Sequence, residues 1–446
     1  MTTWIERDLS RLWHPFTQMK EAQDTPPILI KRAQGLRLYD DQDRWYYDTI
    51  SSWWCNIHGH NHPHIRAAIE KQLKELDHIQ FSGFTHRPAI ELAERLVALT
   101  PAGLDRVFYS DNGSTAVECA LKMSLQYWRN SGRPDKQRFI CLDHGYHGDT
   151  VGAMSVGGRS VFNQAFAPML FDTDQMPTPY CYRCPVNQDK DSCNLACIKP
   201  LEEKLSQAHA QTAAIILEPL LLAAGGMIVY PPAYLRRVAE LAHQYHIHLI
   251  LDEVATGFGR TGTMFACEQA EVVPDFLCLS KGLTSGTLPF AATLTTEDVY
   301  AAFYDDYVKH KTFYHGHTYT ANPLGCAAAL ATLDIFKEDD TLEQARPLME
   351  RLSAAQDDFR QLSLVGDVRG LGMVMACELV QDKQTKQSFL AERRLGKQVY
   401  ERGLKEQLVL RPLGDIIYLF LPLAATAEQL ETILERTYGV LAVLKA

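Results

Sequence analysis

Two residues of this 446-residue chain stand where they would be costly unless they did chemistry. Lys281, in Leu277-Cys278-Leu279-Ser280-Lys281-Gly282, and Asp252, which closes Ile247-His248-Leu249-Ile250-Leu251, each end an apolar, strand-like run. A lysine in that position neutralises a phosphate or condenses with a carbonyl as a Schiff base. A carboxylate and a lysine from successive strands meet the needs of pyridoxal phosphate: an acid to keep its ring nitrogen protonated and an amine to hold its aldehyde. The competing explanation is a structural Asp–Lys ion pair. A third contact lies upstream, where the run Ser110 to Glu118 follows a strand and opens a helix. Gly113 lets backbone approach closely, Ser114 supplies a hydroxyl, and a helix N-terminus favours an anion such as phosphate. Thr115 and Glu118 also fit a capping box, which would explain the segment without any ligand.

Other motifs carry weaker signals. Gly257-Phe258-Gly259-Arg260-Thr261-Gly262 matches G-x-G-x-x-G, but four residues separate it from Asp252 and no clear helix follows, so it reads as a turn rather than a nicotinamide site. His58, His60, His62 and His64 alternate, yet no second ligand cluster accompanies them, and a polar turn is the expectation. Cys181, Cys184, Cys193 and Cys197 (C-x2-C-x8-C-x3-C) sit in an insertion rich in Pro, Asn and Asp. Structural zinc and reduced surface thiols are both open there, with thiols preferred and no metal assigned. Trp53 and Trp54 are taken as strand neighbours whose indoles point opposite ways, one toward a cavity. Arg411, closing Leu408-Val409-Leu410, could take a carboxylate through its planar fork or form a surface salt bridge.

The elements that must position these residues alternate between short apolar runs and helical patterns. Arg106–Tyr109, Phe139–Leu142, Ala214–Leu217, Leu249–Leu251 and Phe276–Leu279 read as strands. Helices are expected from about Ser114 to Trp128, from Tyr234 to Tyr245, through Ile65, Ile69, Leu73 and Leu76, and after the Asn322-Pro323 cap. Such alternation predicts a mostly parallel sheet covered on both faces. The last hundred residues read as α+β, with a strand near Met373–Leu379, a helix near Arg393–Gly403, then runs at Leu408–Leu410 and Ile416–Leu421. The expected division is 1–60 and 331–446 for a smaller domain built from both termini, and 61–330 for a large α/β domain. Hydrophobic residues make up 46% and charged residues 22%, and a net charge of −10 argues against a nucleic-acid or anionic-membrane role. No apolar run approaches the roughly 20 residues of a membrane span. The start Met1 to Asp8 lacks a basic segment followed by an apolar core, and eleven cysteines, an odd number, point to a reducing cytoplasm.

Beside these readings stands a resemblance. Leu251-Asp252-Glu253-Val254-Ala255-Thr256-Gly257-Phe258-Gly259-Arg260-Thr261-Gly262 followed by Ser280-Lys281-Gly282 resembles the class III pyridoxal-phosphate aminotransferases, over about residues 10 to 440. Trp13-His14-Pro15-Phe16-Thr17-Gln18-Met19, Ser51-Ser52-Trp53-Trp54, Gly145-Tyr146-His147-Gly148-Asp149-Thr150 and Arg411-Pro412-Leu413-Gly414 are similar to the branch that makes 7,8-diaminononanoate in biotin synthesis. The resemblance implies the fold type I of pyridoxal-phosphate enzymes, a cytoplasmic homodimer with its active site at the subunit interface, and transamination of 8-amino-7-oxononanoate. It makes Lys281 the Schiff-base lysine and proton shuttle, pairs Asp252 with the ring nitrogen, gives the phosphate to Gly113 and Ser114, and lays Tyr146 over the ring. Gly316, His317 and Thr318 would come from the neighbouring subunit, with Thr318 at the phosphate. Trp53, Phe16 and Arg411 would line the substrate pocket, Arg411 taking the carboxylate. Adenosylmethionine-using members carry tyrosine in place of Phe16 and proline in place of His317, and a subgroup with this chain's pattern uses lysine. The donor is thus open between S-adenosylmethionine and L-lysine. Three other functions compete with this one: another class III aminotransferase acting on ornithine, 4-aminobutyrate or an ω-amino acid, a nicotinamide oxidoreductase, and a non-catalytic scaffold.

Overall fold

In the computed structural model, which describes residues 2–445, the apolar runs assemble into one seven-stranded sheet. Its strands are β1 (Arg106–Ser110), β2 (Arg138–Leu142), β3 (Asp174–Met176), β4 (Thr212–Leu217), β5 (His248–Asp252), β6 (Phe276–Leu279) and β7 (Ala291–Thr295). They lie in the order β1-β7-β6-β5-β4-β2-β3. β7 runs antiparallel to both neighbours, and the other pairings are parallel. Every residue of β4, β5 and β6 is buried, as expected of parallel strands covered on both faces. Neither β3 nor β7 is among the strands expected from sequence: β7, Ala291-Ala292-Thr293-Leu294-Thr295, has mostly small and polar residues, and its place between the buried β6 and the edge strand β1 makes it sheet.

Side chains alternate strictly between the two faces. Ile216, Ile250 and Cys278 pack with Ala116, Val117 and Ala120 on one side. Ile215, Leu217, Leu249, Leu251 and Leu277 pack with Leu235, Val238 and Leu241 on the other. Helices α1 (Pro63–Glu75), α2 (Arg87–Leu99), α3 (Gly113–Asn130), α4 (Pro232–Gln244) and α5 (Pro323–Glu338) supply much of that cover. The start of α3 corrects the expected capping box. Asn112 is the N-cap, its Oδ1 accepting from the Thr115 N–H at 3.1 Å while Thr115 Oγ1 accepts from the Asn112 N–H at 3.1 Å. Glu118 turns away instead, accepting from the Thr150 hydroxyl at 2.6 Å and the Gly152 N–H at 2.8 Å.

The smaller α+β region draws on both ends of the chain. Strands Ile30–Gln34, Arg37–Asp40 and Trp45–Tyr47 form one small sheet, and Val365–Leu371, Val374–Leu379 and Ile416–Phe420 another, with helices α6 (Thr341–Arg360), α7 (Leu395–Lys405) and α8 (Ala427–Ala442). The ends meet through backbone: Tyr47 N–H donates to Gln407 O at 2.8 Å, Val409 N–H to Tyr47 O at 3.0 Å, and Phe420 N–H to Thr49 O at 2.8 Å. The run Leu408–Leu410 forms only a single bridge to Tyr47 rather than a strand of its own. Among the described residues no helix is long and apolar enough to cross a membrane.

The glycine-rich run after Asp252 is a turn, and its arginine ties the parts together. Arg260 is fully buried; its guanidinium donates to the carbonyls of Leu421 and, at 3.0 Å, Asn56, and lies 4.4 Å from the Phe420 ring centroid. Burial pulls its pKa down to about 9. Replacing Arg260 by Met strands two buried carbonyls, so we expect a loss of about 3 kcal/mol in chemical denaturation. A loss below about 1 kcal/mol, the level of an ordinary surface change, would refute this role.

Candidate active site

The strand register decides where charge gathers. Leu217 of β4 pairs with Leu251 of β5, and Asp252 pairs with Cys278 of β6. Glu218, Asp252 and Lys281 therefore leave the carboxyl ends of three adjacent parallel strands at one rim, where open α/β sheets place ligands. They line a common cavity of about 450 Å³, within the range of small-molecule sites. Gly113, Ser114, Tyr146, His147, Trp54, Cys55 and Ser280 line it as well.

Each group is held by a nameable contact. Asp252 Oδ2 pairs with His147 Nδ1 at 2.8 Å, both side chains buried, and its Oδ1 accepts from the Val254 N–H at 3.1 Å. His147 Nε2 is buried without a partner. The Lys281 ammonium lies 4.7 Å over the Trp54 ring, whose Nε1–H donates to Tyr418 Oη at 3.2 Å. Burial lowers the lysine pKa, partly offset by Asp252, Glu218 and Cys55. Close approach around the start of α3 requires glycine. A Cβ on Gly113 would meet Val254 Cγ1 at 2.6 Å, and one on Gly148, whose φ is +124°, would meet Ser114 Oγ at 1.9 Å.

Trp53 and Trp54 correct the strand reading. Ser51, Ser52, Trp53 and Trp54 have φ of 49°, 46°, 74° and 75°, a left-handed turn that costs such residues roughly 1–2 kcal/mol each. Asp48 holds the turn: its Oδ1 accepts from the Ser52 N–H at 2.9 Å, and its Oδ2 from the Ser52 hydroxyl at 2.6 Å and His60 Nε2 at 2.8 Å. Burial opposes the Asp48 charge, but these hydrogen bonds prevail and its pKa is lowered. The turn aims Trp54 beneath Lys281 and Trp53 outward. Arg411 lies 4.5 Å over Trp53, and Phe16, with φ of 50°, meets Trp53 edge-on at 5.4 Å and Phe162 at 6.1 Å. No acidic side chain pairs with Arg411 among the described residues.

Not every candidate comes together. Gly316, His317 and Thr318 are absent from the cavity lining, and so are Phe16, Trp53 and Arg411, which cluster with one another next to Trp54; His317 Nε2 stands 3.9 Å from Asp111 Oδ1, and Asp111 does line the cavity. The alternating histidines disperse, His58 to Thr332 O, His60 to Asp48 and His64 to Asp334. Cys181, Cys184, Cys193 and Cys197 are free thiols, and no group of three or more metal-binding side chains is arranged for an ion among the described residues. Two site residues escaped the sequence reading. His147 stood unremarked inside Gly145–Thr150, and Glu218 ends the apolar run of β4 just as Asp252 ends that of β5, a parallel that was readable.

An amine, a carboxylate braced by histidine, and the N-terminus of the eighteen-residue helix α3 share one cavity, an arrangement that fits a phosphorylated pyridine aldehyde. The family model described as aminotransferase class-III matches residues 18–441.

The chain belongs to the class III aminotransferases.

It is 46% identical over 429 residues to an adenosylmethionine-8-amino-7-oxononanoate aminotransferase of Geobacter sulfurreducens, covering 96% of this chain and 95% of that one. It is 45% identical over 436 residues to one of Nitratidesulfovibrio vulgaris, covering 97% of this chain and 80% of that relative. Among solved structures, the Methanocaldococcus jannaschii enzyme of the same name superposes with a TM-score of 0.93 at 39% identity, covering 97% of each chain. A PLP-bound amine transaminase from an uncultivated Pseudomonas species gives 0.91 at 35% identity, covering 97% of this chain and 98% of that one. The protein is thus a pyridoxal-phosphate-dependent aminotransferase of fold type I. Removing the Asp252 carboxylate breaks its buried pair with His147, for which about 3–5 kcal/mol is usual. For Asp252→Ala we expect kcat to fall by on the order of a hundred- to a thousand-fold and the apoprotein to hold the cofactor more weakly; normal kinetics would contradict this.

Proposed function

We propose that this chain transfers an amino group to 8-amino-7-oxononanoate, forming 7,8-diaminononanoate in biotin biosynthesis, as a cytoplasmic homodimer. The observation that carries the reading is a wall next to Trp54, outside the cavity lining itself: Arg411 over Trp53, with Phe16 against the same indole. That wall offers a long aliphatic acceptor apolar surface and a fork for its carboxylate. The names of the relatives above support the same acceptor. Pyridoxal phosphate, when bound, supplies an electrophilic aldehyde and a ring that withdraws electrons from the donor's carbon.

The chain's own groups do the rest. Lys281 would hold the cofactor at its aldehyde end, and its amine would take the proton from the donor's carbon and deliver it to C4′. Asp252, braced by His147, keeps the ring nitrogen protonated. Gly113 and Ser114 at the start of α3 hold the phosphate, and Tyr146 covers the ring. Gly316, His317 and Thr318 reach the partner's cavity, Thr318 at its phosphate. Support for a dimer comes from aromatics left on the surface near that loop: Tyr304, Tyr307, Tyr314 and Tyr319 are each more than 60% exposed. The donor is S-adenosylmethionine or L-lysine. Phe16, packed against Trp53 and Phe162 without a hydroxyl to offer an adenosyl group, favours lysine.

A second reading, another ω-amino acid or amine as substrate, draws on the ω-transaminase of Pseudomonas jessenii, which superposes with a TM-score of 0.94 at 31% identity. Separate half-reactions decide the donor: lysine, rather than adenosylmethionine, should abolish the cofactor's long-wavelength absorbance. Bleaching by ornithine or 4-aminobutyrate alone would favour the second reading. Lys281→Ala should still take up pyridoxal phosphate, yet show no turnover and no borohydride-fixed adduct; wild-type turnover in that variant refutes the proton role. Arg411→Leu should raise KM for 8-amino-7-oxononanoate by roughly ten- to a hundred-fold, the worth of a charged hydrogen-bond pair, with kcat little changed. An unaltered KM would remove Arg411 from the pocket.

A further inference from the structure

Glu218 has no part in the reaction just described, although it faces the same cavity as Lys281 and Asp252. It is buried, and its carboxyl group is gripped from two sides. The Tyr146 N–H donates to Oε2 at 3.1 Å and the Ala223 N–H to Oε1 at 2.9 Å. The Tyr230 hydroxyl donates to its main-chain oxygen at 2.7 Å, which fixes the strand end as well. No arginine, lysine or histidine forms a salt bridge with it among the described residues. The charged and titratable groups facing this part of the cavity are Tyr146 and His147 from the loop after β2, Asp252 at the end of β5, Lys281 after β6, Cys55 after the left-handed turn, and Tyr230.

Among the cavity-lining residues only Lys281 and His147 form cations, and His147 already serves Asp252. A carboxyl group fixed by backbone N–H donors in a shared cavity acts, whenever it is ionised, on the ionisable nitrogens around it. We propose that Glu218 sets the protonation of the nitrogen at position 281, free or joined to the cofactor, by holding its positive form against the loss of water. It is a tuning residue, acting through Lys281 rather than on substrate. The titration behaviour of both groups agrees. Burial pushes Glu218 up to about 7, with His147 lowering and Asp252 raising it, and Glu218 is among the charges that lift the Lys281 amine back up. A group that must both take and give a proton near neutrality depends on such balance.

The inference rests on Lys281 as the cofactor lysine. The test is the pH midpoint of the bound cofactor's absorbance change in wild type, Glu218→Gln and Glu218→Asp holoenzymes. Loss of a negative charge disfavours the cation, so the Gln midpoint should fall by roughly 1 pH unit, and the Asp midpoint, with the charge drawn one carbon back, should lie between. A merely structural role would lower the unfolding temperature of the Gln variant and leave the midpoint in place, which overturns the proposal. Where the Gln variant does not fold, the Asp variant decides, and a midpoint unchanged or raised overturns it. If the wild-type cofactor absorbance does not titrate over the accessible pH range, the imine keeps one charge state throughout, and borohydride trapping at Lys281 checks that assignment separately. The pH profile of Lys281 acylation in the apoprotein, mapped by peptide mass, then carries the test: Glu218→Gln should shift that profile to lower pH, and an unshifted profile ends the proposal.

Discussion

The hydrogen-bond register of three parallel strands is the constraint on which the site depends. Because Leu217 pairs with Leu251 and Asp252 with Cys278, the chain leaves the sheet at one level carrying Glu218, Asp252 and, three residues beyond Cys278, Lys281. A one-residue slip would turn a carboxylate toward the opposite face. Three ionisable groups gathered in one largely buried pocket would be costly if bare. Each has compensation of a different kind: backbone N–H groups for Glu218, the His147 ring for Asp252 and the Trp54 face for Lys281.

The large sheet and the segments that follow its strands supply most of the cavity lining, and the N-terminal part of the chain adds Trp54 and Cys55. That division explains why the tightest local geometry lies where they join. Four consecutive residues in left-handed backbone conformation persist because Asp48, Ser52 and His60 hold the turn from inside. Nearby, Arg260 binds the carbonyls of Asn56 and Leu421, so the N-terminal segment, the glycine-rich turn and the last strand are tied at one buried point. The strain at Trp53 and Trp54 and the buried charge of Arg260 are two parts of one junction, which sets Trp54 in the cavity lining and Trp53 against Phe16 and Arg411.

Much of this was legible along the chain, and the reasons are particular. Buried parallel strands read as continuous apolar runs, so β2, β4, β5 and β6 stand out, and a charged residue at the end of such a run draws notice. Glu218 shares that signal, but nothing in one dimension shows which strand ends adjoin. β7 is mostly alanine and threonine and owes its state to pairing with β6 on one side and β1 on the other. The capping of α3 was shifted because Asn112 and Thr115 form the reciprocal pair, which leaves Glu118 for the next loop.

By itself the sequence determined the α/β alternation, the lysine and aspartate as chemical residues, and the glycine-bearing helix start, since each follows from hydrophobic period and residue type over a few positions. Only the tertiary structure decided that Trp53 and Trp54 lie in a left-handed turn, that Arg411 meets Trp53, that His147 braces Asp252, and that Glu218 belongs to the cavity. Those facts depend on which distant segments adjoin, and that is set by strand order and the packing of the two termini rather than by any local pattern.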